Sequence, residues 1–188
     1  MVASAQTTAR VWHFIGFLAV ACALWTHNAS AQTRQKCTEQ IQERIAAMGA
    51  KDWPSLDKLA RRSVQTCNGV VGALDLSQAY QAIAIANLAM HHAQDALEAA
   101  NSCIKTYYAN PGCHFQKAQA LLALNRLIEA RDLLDIAERL AKSSIEQNDS
   151  ALRTTYNSSE RELYLALKNE YEFQLRLIKA LRVQYFSS

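Results

Sequence analysis

Five cysteines and five histidines are the residues of this chain best suited to redox, nucleophilic or metal chemistry. Cys22 stands apart near the amino terminus, leaving Cys37, Cys67, Cys103 and Cys113. No CxxC occurs among them, so a thioredoxin-like dithiol lacks its motif. Zinc sites place Cys and His at short characteristic spacings. Here His91-His92 and Cys113-His114 are adjacent pairs, whose side chains point in different directions on a helix. No HExxH, GxSxG, P-loop or glycine-rich dinucleotide turn occurs. His114 is the one isolated histidine beyond the amino-terminal segment, and no Ser and Asp can be assigned to it. The acids Glu160 and Glu162 sit among bases. The expectation is a protein that is not an enzyme, holds no metal or cofactor, and uses its four remaining cysteines in two structural disulfides.

The rest of the chain must therefore be read as scaffold. It has 188 residues, 20 Lys+Arg against 17 Asp+Glu, and a net charge of +3, too small for a nucleic-acid binder without a basic run. Half is hydrophobic, with only 5 Gly and 2 Pro, which argues for helices against a turn-rich β-sandwich or a disordered chain. Residues 1–31 carry no acid and one base, Arg10. They contain the apolar run Val11–Trp25 and end in Ala29-Ser30-Ala31, the small-x-small pattern of a secretory signal cleaved before Gln32. The run is short for a membrane span of about 20 residues and is interrupted by His13 and Gly16, so no stable span is expected after cleavage. A lipid on Cys22 fits the surrounding residues poorly. The Ala-rich signal favours a bacterial periplasm. Eukaryotic secretion is the alternative, in which Asn148 and Asn157 would be glycosylation triplets.

Helix signals then select the disulfide pairing. Residues 33–48 carry Ile41, Ile45 and Met48 near helical spacing, with Gly49 as the expected stop. Asp52-Trp53-Pro54 restarts a helix bearing Leu56, Leu59, Ala60, Val64 and Cys67, which ends at Asn68-Gly69. Residues equidistant from the turn of an antiparallel hairpin face each other. Asp52 lies midway between Cys37 and Cys67. Tyr108 lies midway between Cys103 and Cys113, inside the Tyr107–Pro111 connection. The expected bridges are Cys37–Cys67 and Cys103–Cys113.

Residues 77–110 align with 111–144 at a period of 34. Ala84 falls on Ala118, Ala86 on Ala120, Leu88 on Leu122, Ala89 on Ala123 and Ala96 on Ala130. Each unit reads as two helices, with turns near His91-His92 and Asn125-Arg126. The stretch Ala118–Ala137, with Ala118, Leu121, Ala130, Leu134 and Ala137 at matching positions, resembles the tetratricopeptide repeat. That resemblance implies a concave face built from the first helix of each unit. On it, Gln81, Ile85, Leu88, Phe115, Gln119 and Leu122 would form one groove, suited to a helix or extended peptide without strong charge. Two units are too few to stand alone, so neighbours must cap them.

Ser159-x-x-Glu162 reads as a capping box. Beyond it Leu163, Leu167, Tyr171, Leu175, Ile178, Leu181 and Tyr185 form an apolar stripe along one long helix. The expected organisation is a signal over 1–31, an amino-terminal hairpin cap over 32–76, two repeats over 77–144, and a linker with the long amphipathic helix over 145–188. The fold class is all-α, with antiparallel hairpins stacked as a short α-solenoid. The expected function is that of a non-enzymatic exported adaptor that binds another envelope protein through its groove. The alternatives are a structural subunit that self-associates through the carboxy-terminal helix, and a binder of small ligands, which needs a closed apolar pocket.

Overall fold

The computed structural model describes residues 31–186, and within them the fold is all-α, with no strand. The expected signal, apart from Ala31, lies outside the described residues, as does Cys22. A first helix, α1, runs through residues 31–49. It is followed by α2 (Trp53–Cys67), α3 (Ala73–Ala89), α4 (Ala93–Thr106), α5 (Pro111–Ala123), α6 (Leu127–Thr154) and α7 (Ser158–Phe186). Successive helices pack as antiparallel hairpins that stack, and α3 lies against α2, α4 and α5. The four cysteines pair as expected from the hairpins. Cys37 bonds to Cys67 with Cα atoms 5.7 Å apart, and Cys103 bonds to Cys113 with Cα atoms 5.5 Å apart.

The stack is dense because its contact positions are small. Ala84, Ala86 and Ala96 are fully buried, as are Ala118, Ala120 and Ala130 a period later. Small residues at a crossing let helix axes approach, and larger ones fill the remaining gaps. Leu56, Leu121 and Leu134 fill those gaps here, each at most 1% exposed.

Three helix ends share one turn. After α1, α3 and α5 the chain passes through a left-handed residue: Lys51 (φ 56°), His91 (φ 62°) and Asn125 (φ 61°). The next amide donates five residues back each time: Asp52 to Ala47, His92 to Asn87, and Arg126 to Leu121. This is the Schellman pattern. The stop expected at Gly49 is therefore made by Lys51, and Gly49 is still helical. The geometry recurs at the α1–α2, α3–α4 and α5–α6 turns, the first of which lies outside the 34-residue repeat, so it is not a mark of that period.

Two expectations near the carboxy terminus are corrected. The linker expected from residue 145 is helix to Thr154, because no Gly or Pro interrupts α6. Only Thr155–Asn157 connects it to α7. The cap of α7 is Asn157 and not Ser159: the Asn157 Oδ1 accepts from the amides of Ser159 (2.9 Å) and Glu160 (3.3 Å). Asn148 is buried within α6, so its triplet is no glycosylation site, whereas Asn157 is exposed.

Helices α6 and α7 form a long antiparallel hairpin whose cross-links sit symmetrically about that turn. Lys168 pairs with Asp149 at 2.7 Å, Arg182 pairs with both Asp135 and Glu138, and the Arg131 guanidinium lies 5.0 Å from the Phe186 ring centroid. The face of α7 that packs is narrower than the apolar stripe. Gln174 and Ile178 are buried, while Leu163 at its start and Tyr185 at its end are exposed.

Candidate functional site

The rotation of α1 decides which surface is available. Its buried face is Cys37, Gln40, Arg44 and Ala47, at three- and four-residue steps. Its apolar stripe is turned away from the core: Ile45 is 59% exposed and Met48 38%. The Cys37–Cys67 bridge lies within that buried face and aims it at α2. A stripe expected to seal the core is thus left on the surface.

That stripe forms one wall of a cavity of about 340 Å³. From α1 come Ile41, Arg44, Ile45 and Met48. From α3 come Leu74, Gln78, Gln81, Ala82 and Ile85. Leu167, Glu170, Tyr171 and Gln174 of α7 close the third side, with Asn110 at one end. The volume falls within the range of small-molecule sites, roughly 300–1,000 Å³. Tyr171 is held by Ser144, and burial pushes its phenol pKa up.

Asn110 organises the floor. Its Oδ1 accepts from the Gly112 amide at 2.9 Å and caps α5, while its Nδ2 donates to Ser77 Oγ (3.1 Å) and Gln81 Oε1 (3.2 Å). A Cβ on Gly112 would overlap the Gln81 amide, so a larger residue there would displace the Gln81 side chain. The network holds the Gln81 side chain at the α3–α5 junction.

Glu170 is the anionic member of the cavity wall, and Arg44 the cationic one. It is 6% exposed, its Nε has no hydrogen-bond partner, and no carboxylate forms an ion pair with it among the described residues. Burial pushes its pKa down, and the charge of Asp75 pulls it back up. An arginine cannot relieve the cost of burial by losing its proton, so it stays a cation in an apolar wall. Gln174 faces the same cavity with a buried, unpartnered Oε1, while its Nε2 donates to Glu170 at 3.3 Å.

The six expected groove residues divide into two groups. Gln81 and Ile85 line the cavity, and Leu88 is half-buried at the edge of the adjoining core. Phe115 is 3% exposed and shares a core cluster with Ala118, Leu134, Ala137 and Ile178 of α7. Leu122 is 7% exposed in the neighbouring cluster, and Gln119 is half-buried. They do not form one open strip, because the apolar face of α7 is itself covered by packing onto α5 and α6. What stays open is the α1–α3 half, and it is not free of charge as expected, since Arg44 lies in it.

Arg44 was not among the residues that the sequence reading singled out. The available signal was its spacing from Cys37: seven residues on a helix returns to the same face. Among the described residues no group of three or more His, Cys, Asp or Glu is placed to hold a metal ion, and no helix is long and apolar enough to cross a membrane. No family model, curated protein or solved structure matches this chain.

Proposed function

We propose that the protein is an exported, non-enzymatic helical adaptor whose open groove between α1, α3 and α7 receives an apolar segment of another envelope protein. The observation that carries this reading is the outward apolar stripe of α1. Ile45 and Met48, with Leu74 at 40% exposure across the cavity mouth, make a rim of large apolar residues that a folded chain ordinarily buries. Two disulfides suit an oxidising compartment, and the periplasm is the compartment we favour. The tetratricopeptide resemblance of 77–144 supports the same reading, as stacked hairpins of that family present a concave groove.

The test is paired affinity capture from an envelope fraction with the wild-type chain and with Ile45→Glu/Met48→Glu. Both residues are exposed, so the fold should survive. A protein retained by the wild type and lost with the variant supports the adaptor. Identical captures from both would refute the groove.

A second reading is favoured by one observation. The outer face of α7 leaves Leu165, Phe173 and Val183 exposed, a surface suited to self-association. Sedimentation of the wild type as a stable oligomer, and of Leu165→Glu/Phe173→Glu as a monomer, would favour it over the adaptor.

A further inference from the structure

We propose that the cavity between α1, α3 and α7 is a binding site for a small apolar monocarboxylate, with Arg44 receiving the carboxylate. This goes beyond the adaptor reading and stands whether or not a protein docks at the rim. Arg44 supplies a permanent cation, nine-tenths buried, whose Nε has no hydrogen-bond partner; the charge of Asp75 acts on it, but no carboxylate of the described residues forms an ion pair with it. A carboxylate is the group whose planar pair of oxygens fits a guanidinium fork, and attraction is strongest where the surroundings are apolar. The remaining wall is suited to an alkyl or aryl tail, through Ile41, Ile85 and Leu167.

Two further groups narrow the class. Glu170 lines the same cavity from α7, so a second carboxylate on the ligand would meet a like charge. This selects a monoanion. Gln174 offers a buried oxygen that lacks a donor, which favours a ligand with a hydroxyl or amide N–H along its chain. The volume of about 340 Å³ is enough for one such molecule.

The experiment titrates the full chain, disulfides intact, with decanoate, decanol and decyltrimethylammonium by calorimetry. Variants are Arg44→Met and Gln78→Trp. Gln78 is exposed at the cavity and its replacement should obstruct it. The expected result is one decanoate per chain, bound at least tenfold more tightly than decanol, with no binding of the cationic probe. Arg44→Met should erase the difference between decanoate and decanol, and its melting temperature should be no lower than wild type. Gln78→Trp should weaken both probes. Equal binding of decanoate and decanol to the wild type overturns the proposal. So does undiminished decanoate binding by Arg44→Met, or an Arg44→Met chain that melts earlier, which would make Arg44 a structural residue.

Discussion

Cys37 and Cys67 are bonded across the first hairpin with their Cα atoms 5.7 Å apart, and both are almost fully buried. The bond joins α1 to the last turn of α2, so it sets how α1 is rotated about its own axis. Gln40 and Arg44 follow Cys37 inward, and Ile45 and Met48 are carried to the cavity. The cavity chemistry therefore depends on a cross-link that does not itself line the cavity.

The two bridges should differ in what they contribute. Cys37–Cys67 spans 30 residues and Cys103–Cys113 spans 10. Loop-closure entropy then gives about 3.7 and about 2.7 kcal/mol, respectively. Urea unfolding of Cys37→Ala/Cys67→Ala and of Cys103→Ala/Cys113→Ala should show the larger loss for the first pair. The reverse order would mean that chain entropy does not govern these bridges.

Phe115→Ala should cost about 3–5 kcal/mol, since the side chain is core and loses its neighbours around Ile178. Thermal or urea denaturation measures this. A change below about 1 kcal/mol would show that α7 is not seated on α5.

His114 should make stability fall in mild acid. It is 1% exposed, its Nε2 meets the Tyr108 carbonyl oxygen at 2.8 Å, and its Nδ1 has no partner. Burial lowers its pKa from the ordinary 6.5, more than the Tyr108 contact raises it. Between the two values the unfolded chain holds more protons, so stability declines as pH drops below about 6.5 and is independent of this residue above it. Melting temperatures from pH 7.5 down to about 5, a window set by the unfolded histidine value, should fall more steeply for wild type than for His114→Gln. Parallel curves would contradict the assignment.

Arg182 bridges two acids on α6 while 34% exposed. Arg182→Gln should cost about 1 kcal/mol at low salt and less at high salt, because exposed pairs are screened. Paired denaturation curves at two ionic strengths check this. A loss that salt leaves unchanged would assign the effect to packing of the arginine stem.

The hairpins were legible because their signals are local. Asp52 before Trp53-Pro54, Asn68-Gly69, and Asn110-Pro111 each announce a helix end in a few residues, and the cysteine pairing follows from where those ends lie. The face of α1 was not legible. Ile41, Ile45 and Met48 look like a core stripe, and only a bridge thirty residues away in sequence turns them outward. The length of α6 was misjudged: a linker was expected from residue 145, but no Gly or Pro stops the helix before Thr154. Phe115 was ambiguous for a related reason: whether it is groove or core depends on where α7 lies, and helix placement is a long-range property.

The turn residues Lys51, His91 and Asn125 bear on how such a chain can change over time. A left-handed turn filled by glycine is conspicuous, and its replacement is punished. Here the turn is held by backbone hydrogen bonds that any amide can supply, and three unrelated side chains already occupy the same conformation. Each corner nevertheless sets a Cβ at positive φ, so glycine would relieve strain there and a β-branched residue would add to it. Descendants of this chain could exchange these residues among glycine, asparagine and unbranched side chains while the hairpins, and the cavity they frame, kept their shape.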